Sequence, residues 1–167
     1  MKSKNLAIAS MLLAASMIIG VVENLIPPII PFLPYVKLGL SNVVIIIAIL
    51  LLNYKYAFAI IALKSILVPL LVANPVMILY SLPSSLLSVA LTTALLYTRR
   101  LSIPVISVLS AILHNIIQLC VAAIMTNSLV FGFLPYFIII GSVSGLITGI
   151  ISFVTIKYIP PAFYKSP

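Results

Sequence analysis

The chain is almost without acid. Of its 167 residues one, Glu23, is acidic, and Asp does not occur. Charged residues of both signs make up only 6% of it, against about 25% in a typical soluble domain. A soluble globule needs a charged shell, and this composition cannot build one. A hydrolase working through a carboxylate pair needs two acids, so that class is excluded. One Cys and one His cannot make a Cys/His structural zinc site, and no metal or other cofactor is expected. A single Cys forms no intrachain disulfide, so cysteine usage says nothing of redox compartment. Disordered chains have low hydrophobicity, whereas 64% of this chain is hydrophobic. What remains is an integral membrane protein with one transmembrane domain over residues 1–167.

The excess of positive charge has a membrane explanation. Nine Lys and Arg give a net charge of +8. They form no basic stripe interleaved with aromatics, so nucleic acid is not an expected partner. They sit mainly at the ends of apolar segments, where they act as topology signals.

A membrane helix needs about 20 apolar residues. Breaks at Pro, Gly and charge divide the chain into six such segments, and an all-α polytopic fold is expected. They run approximately over residues 6–22, 38–52, 56–73, 76–97, 104–125 and 135–158. A stretch with Pro27, Pro28, Pro31 and Pro34 separates the first two, Asn74-Pro75 the third and fourth, and Arg99-Arg100 the fourth and fifth. The first segment also has the form of a signal peptide, with Lys2 and Lys4 before the apolar run and Ala14-Ala15-Ser16 within it. The run is long for that role and no sharp polar boundary follows Ser16, so it is read as a helix. With the N-terminus in the cytoplasm, Lys2, Lys4, Lys55, Arg99, Arg100, Lys157 and Lys165 all lie inside, and the C-terminus does too.

That topology gives each polar residue a depth. Ionisable groups within spans usually face a cavity or a partner. Glu23 falls at the outer end of the first helix, and Lys37 and Asn42 at the outer end of the second. Lys64 lies near the middle of the third, and Tyr80, Ser81, Ser84 and Ser85 in the outer half of the fourth. His114, Asn115 and Gln118 run outward from the middle of the fifth. The inner half is read as holding little besides apolar residues and terminal Lys or Arg. A channel needs polar lining along its whole length, and a transporter with a midplane site between repeats needs repeats, which are not evident. A polar cluster open outward and closed below reads as a capture pocket for a small molecule.

Within it, His114 and Gln118 share a helix face, and Asn115 is offset by roughly 100° from His114. Lys37, Gly39 and Asn42 form K-x-G-x-x-N, where Gly39 permits close backbone approach. The candidate substrate-binding residues are Glu23, Lys37, Asn42, Lys64, Tyr80, His114, Asn115 and Gln118. Bland readings stand beside this one: a structural Glu23–Lys64 ion pair, and His114, Asn42, Asn115 and Gln118 as interhelical glue. With Lys37 and Lys64 against Glu23 the cluster carries about one net positive charge, which favours an anionic ligand. Gly141, Gly145 and Gly149 give G-x-x-x-G-x-x-x-G on the last helix, a close-packing face. Ser10 and Ala14, and then Ser16 and Gly20, are small residues at spacing four on the first.

These features together resemble the Gx transporter family, also labelled heptaprenyl diphosphate synthase component I. The stretches that carry the likeness are Glu23 with its following prolines, Lys37-Leu38-Gly39-Leu40-Ser41-Asn42, Asn74-Pro75, Leu79-Tyr80-Ser81-Leu82, and His114-Asn115-Ile116-Ile117-Gln118. Lys64 stands where the family has Arg, which keeps the charge but loses bidentate geometry. Ser84-Ser85 stands where small, Gly-rich positions are expected.

More broadly, the family is similar to the substrate-binding S components of energy-coupling factor (ECF) transporters. That likeness implies a six-helix protein of the bacterial or archaeal cytoplasmic membrane, surrounded by membrane lipid. It implies an outward pocket for a vitamin or cofactor precursor. It also implies docking, through Ser10 and Ala14, to a transmembrane coupling subunit that carries two ATPases. The chain has no Walker A pattern of its own. The enzyme label implies Mg²⁺ held by Asp-rich motifs, and magnesium needs oxygen ligands, typically carboxylates. With one acid the chain cannot build that site alone, so it is not expected to be an enzyme; a non-catalytic accessory subunit of a prenyl diphosphate synthase is the alternative.

Overall fold

The computed structural model describes residues 2–25, 39–126 and 130–159. Every regular element among them is helical: α1 (Lys2–Leu25), α2 (Asn42–Leu51), α3 (Tyr54–Leu71), α4 (Met77–Thr98), α5 (Ile103–Thr126) and α6 (Leu134–Tyr158). A short 3-10 turn, Val130–Phe133, leads into α6. Lys37, the four prolines from 27 to 34 and Lys165 lie outside the described residues. All of the helices but α2 are long and apolar enough to cross a membrane, with mean hydropathies from 1.5 to 2.2. The protein is a multi-pass membrane protein.

The second span departs from expectation. As described, α2 has 10 residues, a rise of about 15 Å, which is half the hydrocarbon thickness of about 30 Å. It starts late because Gly39 adopts a left-handed conformation, φ +67°, and the chain turns through Leu40 and Ser41 before the helix begins. Val44 to Ile49 are all buried. A helix that is apolar all round belongs inside a bundle, and α2 packs against α1, α3, α4 and α6. Its Ile45, Ala48 and Ile49, with Leu52 just past its end, join Ala9 of α1, Ala57, Ile60 and Ile61 of α3 and Val89 of α4 in one apolar core.

Helices α5 and α6 meet at backbone distance. A Cβ placed on Gly145 would lie 2.6 Å from Val108 Cα and 2.9 Å from the Ser107 carbonyl oxygen. One placed on Gly149 would lie 2.6 Å from Pro104 Cα. The glycine face of α6 therefore sits directly on the α5 main chain, as small residues allow in membrane helices.

The half of the bundle near the α4–α5 connection is less purely apolar than expected. Ser88 Oγ donates to the Ser110 carbonyl at 2.9 Å, and Thr92 Oγ1 to Ser110 Oγ at 2.7 Å. Ser107 and Thr148 share a hydroxyl hydrogen bond of 2.9 Å between α5 and α6. These small hydroxyls cost little to bury, because each satisfies itself locally or across a helix seam.

Pro69 in α3 and Pro83 in α4 both fall in the other half. Pro69 inside α3 has no N–H, so the Ser65 carbonyl one turn back loses its helical donor. Ser81 of α4 supplies one instead, its Oγ donating to Ser65 O at 3.0 Å. Such repair by neighbouring Ser or Thr is what makes proline tolerable in membrane helices. Ser81→Ala is expected to cost about 1 kcal/mol. In a Pro69→Ala background, where the helix can bond Ser65 O itself, the same change is expected to cost almost nothing. A double-mutant cycle on unfolding in detergent measures the difference.

Candidate functional site

The costly polar side chains converge at one end of the bundle, on the far side of the apolar core. They surround a cavity lined from α1 through α5 and containing about 60 Å³ of space that water can occupy. That is room for a few waters or one small head group.

Glu23 enters from the last turn of α1. It is buried, and its Oε1 accepts the backbone N–H of Gly39. The left-handed turn at Gly39 thus presents its amide to the carboxylate. Asn42 stands just beyond, where its amide would meet a Cβ on Gly39 at 3.1 Å, so a side chain there would press on Asn42, while the positive φ of Gly39 itself favours glycine.

Lys64 comes from α3. Its ammonium donates to Ser41 Oγ, and the Glu23 carboxylate acts on it electrostatically. Its stem lies over Gly20 of α1, where an added Cβ would approach Lys64 Cε to 3.3 Å. Gly20 therefore makes room for the one described cation of the cavity. Ser16 and Gly20 face inward and are buried, whereas Ser10 and Ala14 are exposed on the opposite side of α1.

Helices α4 and α5 complete the wall. Tyr80, Ser81, Ser85 and Met77 line it from α4, and His114 and Gln118 from α5. Ser84 turns back on its own helix, donating to Tyr80 O at 2.6 Å. Gln118 Oε1 and Ser65 Oγ are buried and have no hydrogen-bond partner. An unmet buried polar atom costs about 1–3 kcal/mol, so two of them in one wall need a reason.

Of the eight candidates, Glu23, Asn42, Lys64, Tyr80, His114 and Gln118 line this cavity. Lys37 lies outside the described residues. Asn115 points elsewhere: its Nδ2 donates to the Phe137 carbonyl of α6 at 3.1 Å. Asn115→Leu is expected to lower stability by about 1 kcal/mol and to leave solute binding at wild-type strength, measured by thermal unfolding and binding on the same sample.

Sequence reasoning passed over Ser41, Ser65 and Gly20 as site residues. Ser65 carried a signal, since it adjoins Lys64 and precedes Pro69 by one turn. Below the cavity, and sharing Asn42 with it, a second space of about 10 Å³ lies among Ser88, Thr92, Ser107 and Ser110, the size of one water. Among the described residues no cluster of three His, Cys, Asp or Glu could hold a metal ion.

Residues 12–154 match the family described as heptaprenyl diphosphate synthase component I. The chain belongs to that family. The match takes in every helix, from within α1 to within α6, and so covers the whole cavity. No curated protein and no solved structure matches the chain.

Proposed function

We propose that this member of the family is the substrate-binding component of an ECF-type, ATP-driven uptake system in a bacterial or archaeal cell membrane. It captures a small anionic vitamin, or a cofactor or quinone precursor, at the outer face. The observation that supports this most is the cavity. Polar groups from five helices converge at one end of the bundle, and an apolar core together with a seam of small, hydrogen-bonded hydroxyls lies beneath them. The proposal carries the six-helix topology with both termini in the cytoplasm.

In this reading the chain performs no covalent chemistry. Lys37, Lys64 and His114 meet the anionic group of the solute. Asn42, Tyr80 and Gln118 supply neutral hydrogen bonds. Glu23 holds the Gly39 turn and balances Lys64. The exposed Ser10 and Ala14 face of α1 docks on the coupling subunit, whose two ATPases hydrolyse ATP.

The family's description favours a second reading, a non-catalytic membrane accessory of a prenyl diphosphate synthase. One purification separates the two. The tagged protein is drawn from its native membranes in mild detergent, and its protein and small-molecule companions are identified by mass spectrometry. Coupling ATPases with a stoichiometric solute support uptake. A soluble prenyl synthase with no solute replaces uptake with the accessory role.

A further inference from the structure

We infer that the cavity takes a ligand with two unlike ends: an anionic group facing Lys64 and, next to it, an N–H or O–H that donates to Gln118 and Ser65. The inference deepens the uptake reading and shares with it only the premise that the cavity is a ligand site.

The wall is richer in acceptors than its Lys suggests. Lys64 already gives one proton to Ser41, which leaves two for a ligand. Against it stand Glu23, Gln118 and Ser65, residues that line the same space and carry a carboxylate, an amide oxygen and a hydroxyl. Lys64 and Glu23 cancel, so the described wall has no net charge while His114 is neutral. A simple anion would meet the Glu23 carboxylate as well as the ammonium. A ligand that is anionic at one end and a donor at the other satisfies both.

The two orphaned atoms make the second end specific. Gln118 and Ser65 are 8% and 3% exposed, and neither Gln118 Oε1 nor Ser65 Oγ has a partner. They come from different helices, α5 and α3, so no single helix's geometry accounts for both. A buried carboxamide oxygen accepts and never donates. What fits against it is a hydroxyl, an amine or a ring N–H. The small volume admits this two-ended head group, and any remainder of the ligand lies outside it. Water could also fill the space, and the test is chosen to tell the two apart.

Glycolate and acetate differ by one hydroxyl donor on the same carboxylate. Each is titrated against the full-length protein in nanodiscs and followed by saturation-transfer NMR, which reads millimolar binding. Glycolate is expected to bind about tenfold more tightly than acetate, the worth of one good hydrogen bond. In Gln118→Leu, Ser65→Ala protein the ratio is expected to fall to about one. That variant removes polar atoms that have no partner, so its melting temperature is expected to hold or rise. Equal binding of the two acids to the wild type overturns the inference. So does an unchanged ratio in the variant, no binding by either acid, or a lower melting temperature, which would mean that ordered water satisfies both atoms. Uptake is judged separately by co-purification with coupling ATPases, so either idea can fail with the other intact.

Discussion

Gly145→Ala is expected to destabilise the protein by about 2 kcal/mol although it adds one methyl group. In an exposed helix the same change would stabilise by about 1 kcal/mol. Here the new carbon would stand 2.6 Å from Val108 Cα and 2.9 Å from a carbonyl oxygen. Both are main-chain atoms, and no rotamer change relieves them. Relief requires α5 and α6 to separate, which breaks the dispersion contacts of the seam and strains the Ser107–Thr148 hydrogen bond. Overpacking of this kind typically costs about 1–3 kcal/mol. Gly149→Ala, with Pro104 Cα at 2.6 Å, is expected to behave alike. Gly132→Ala, with nothing within 4 Å, is the control and is expected to leave the melting temperature unchanged. Thermal unfolding of the three variants in one detergent decides the matter. Wild-type stability in Gly145→Ala would mean that α5 and α6 are not packed this way.

The largest effect on binding is expected at Lys64. Removing it alone leaves Glu23 buried without the cation that acts on it, and a buried charge deprived of its counter-charge destabilises. The clean variant is therefore Lys64→Met with Glu23→Gln, which removes both charges and keeps the volume. Replacing both members of such a pair is often neutral for stability. Affinity for an anionic solute is expected to fall about ten- to a hundredfold, since a charge-assisted hydrogen bond is worth about 1.5–3 kcal/mol. Occupancy of the co-purified solute, measured by mass spectrometry against protein of equal melting temperature, reads the effect. Undiminished occupancy would remove Lys64 from the binding role.

Much of the helical layout was legible because the bilayer imposes a strong pattern. Asn74-Pro75 and Arg99-Arg100 mark real connections: Ala73 and Arg99 both take φ of 53° there, ending α3 and α4 sharply. The first helix runs on to Leu25 rather than stopping near Val22. Asn24 is compatible with helix because its amide turns back to the Gly20 carbonyl at 2.6 Å. The shortening of α2 was harder to see, since hydropathy is blind to the left-handed turn at Gly39.

For the site, sequence assigned depth but only part of the azimuth. His114 and Gln118, four apart, reach the same cavity, while the roughly 100° offset of Asn115 carries it to α6. Serine was the weakest signal. Ser41, Ser65, Ser81 and Ser84 look alike in sequence. Yet one accepts from Lys64, one lines the cavity with an unmet hydroxyl, one repairs a proline gap and one bonds to its own helix. Their roles depend on which neighbour stands opposite, which only packing decides.

The placement of α6 bears on how the protein can change over generations. That helix supplies the tightest seam in the bundle and no wall of the cavity. Foldability is thus written largely in one set of residues, at 141, 145 and 149 and their α5 partners. In the uptake reading, ligand choice is written in another, at 64, 65, 80 and 118. Most changes to a protein destabilise it, and a binding site usually drifts at the expense of stability. In that reading the cavity residues can vary while the glycine seam holds the scaffold, so one bundle can be refitted to different solutes.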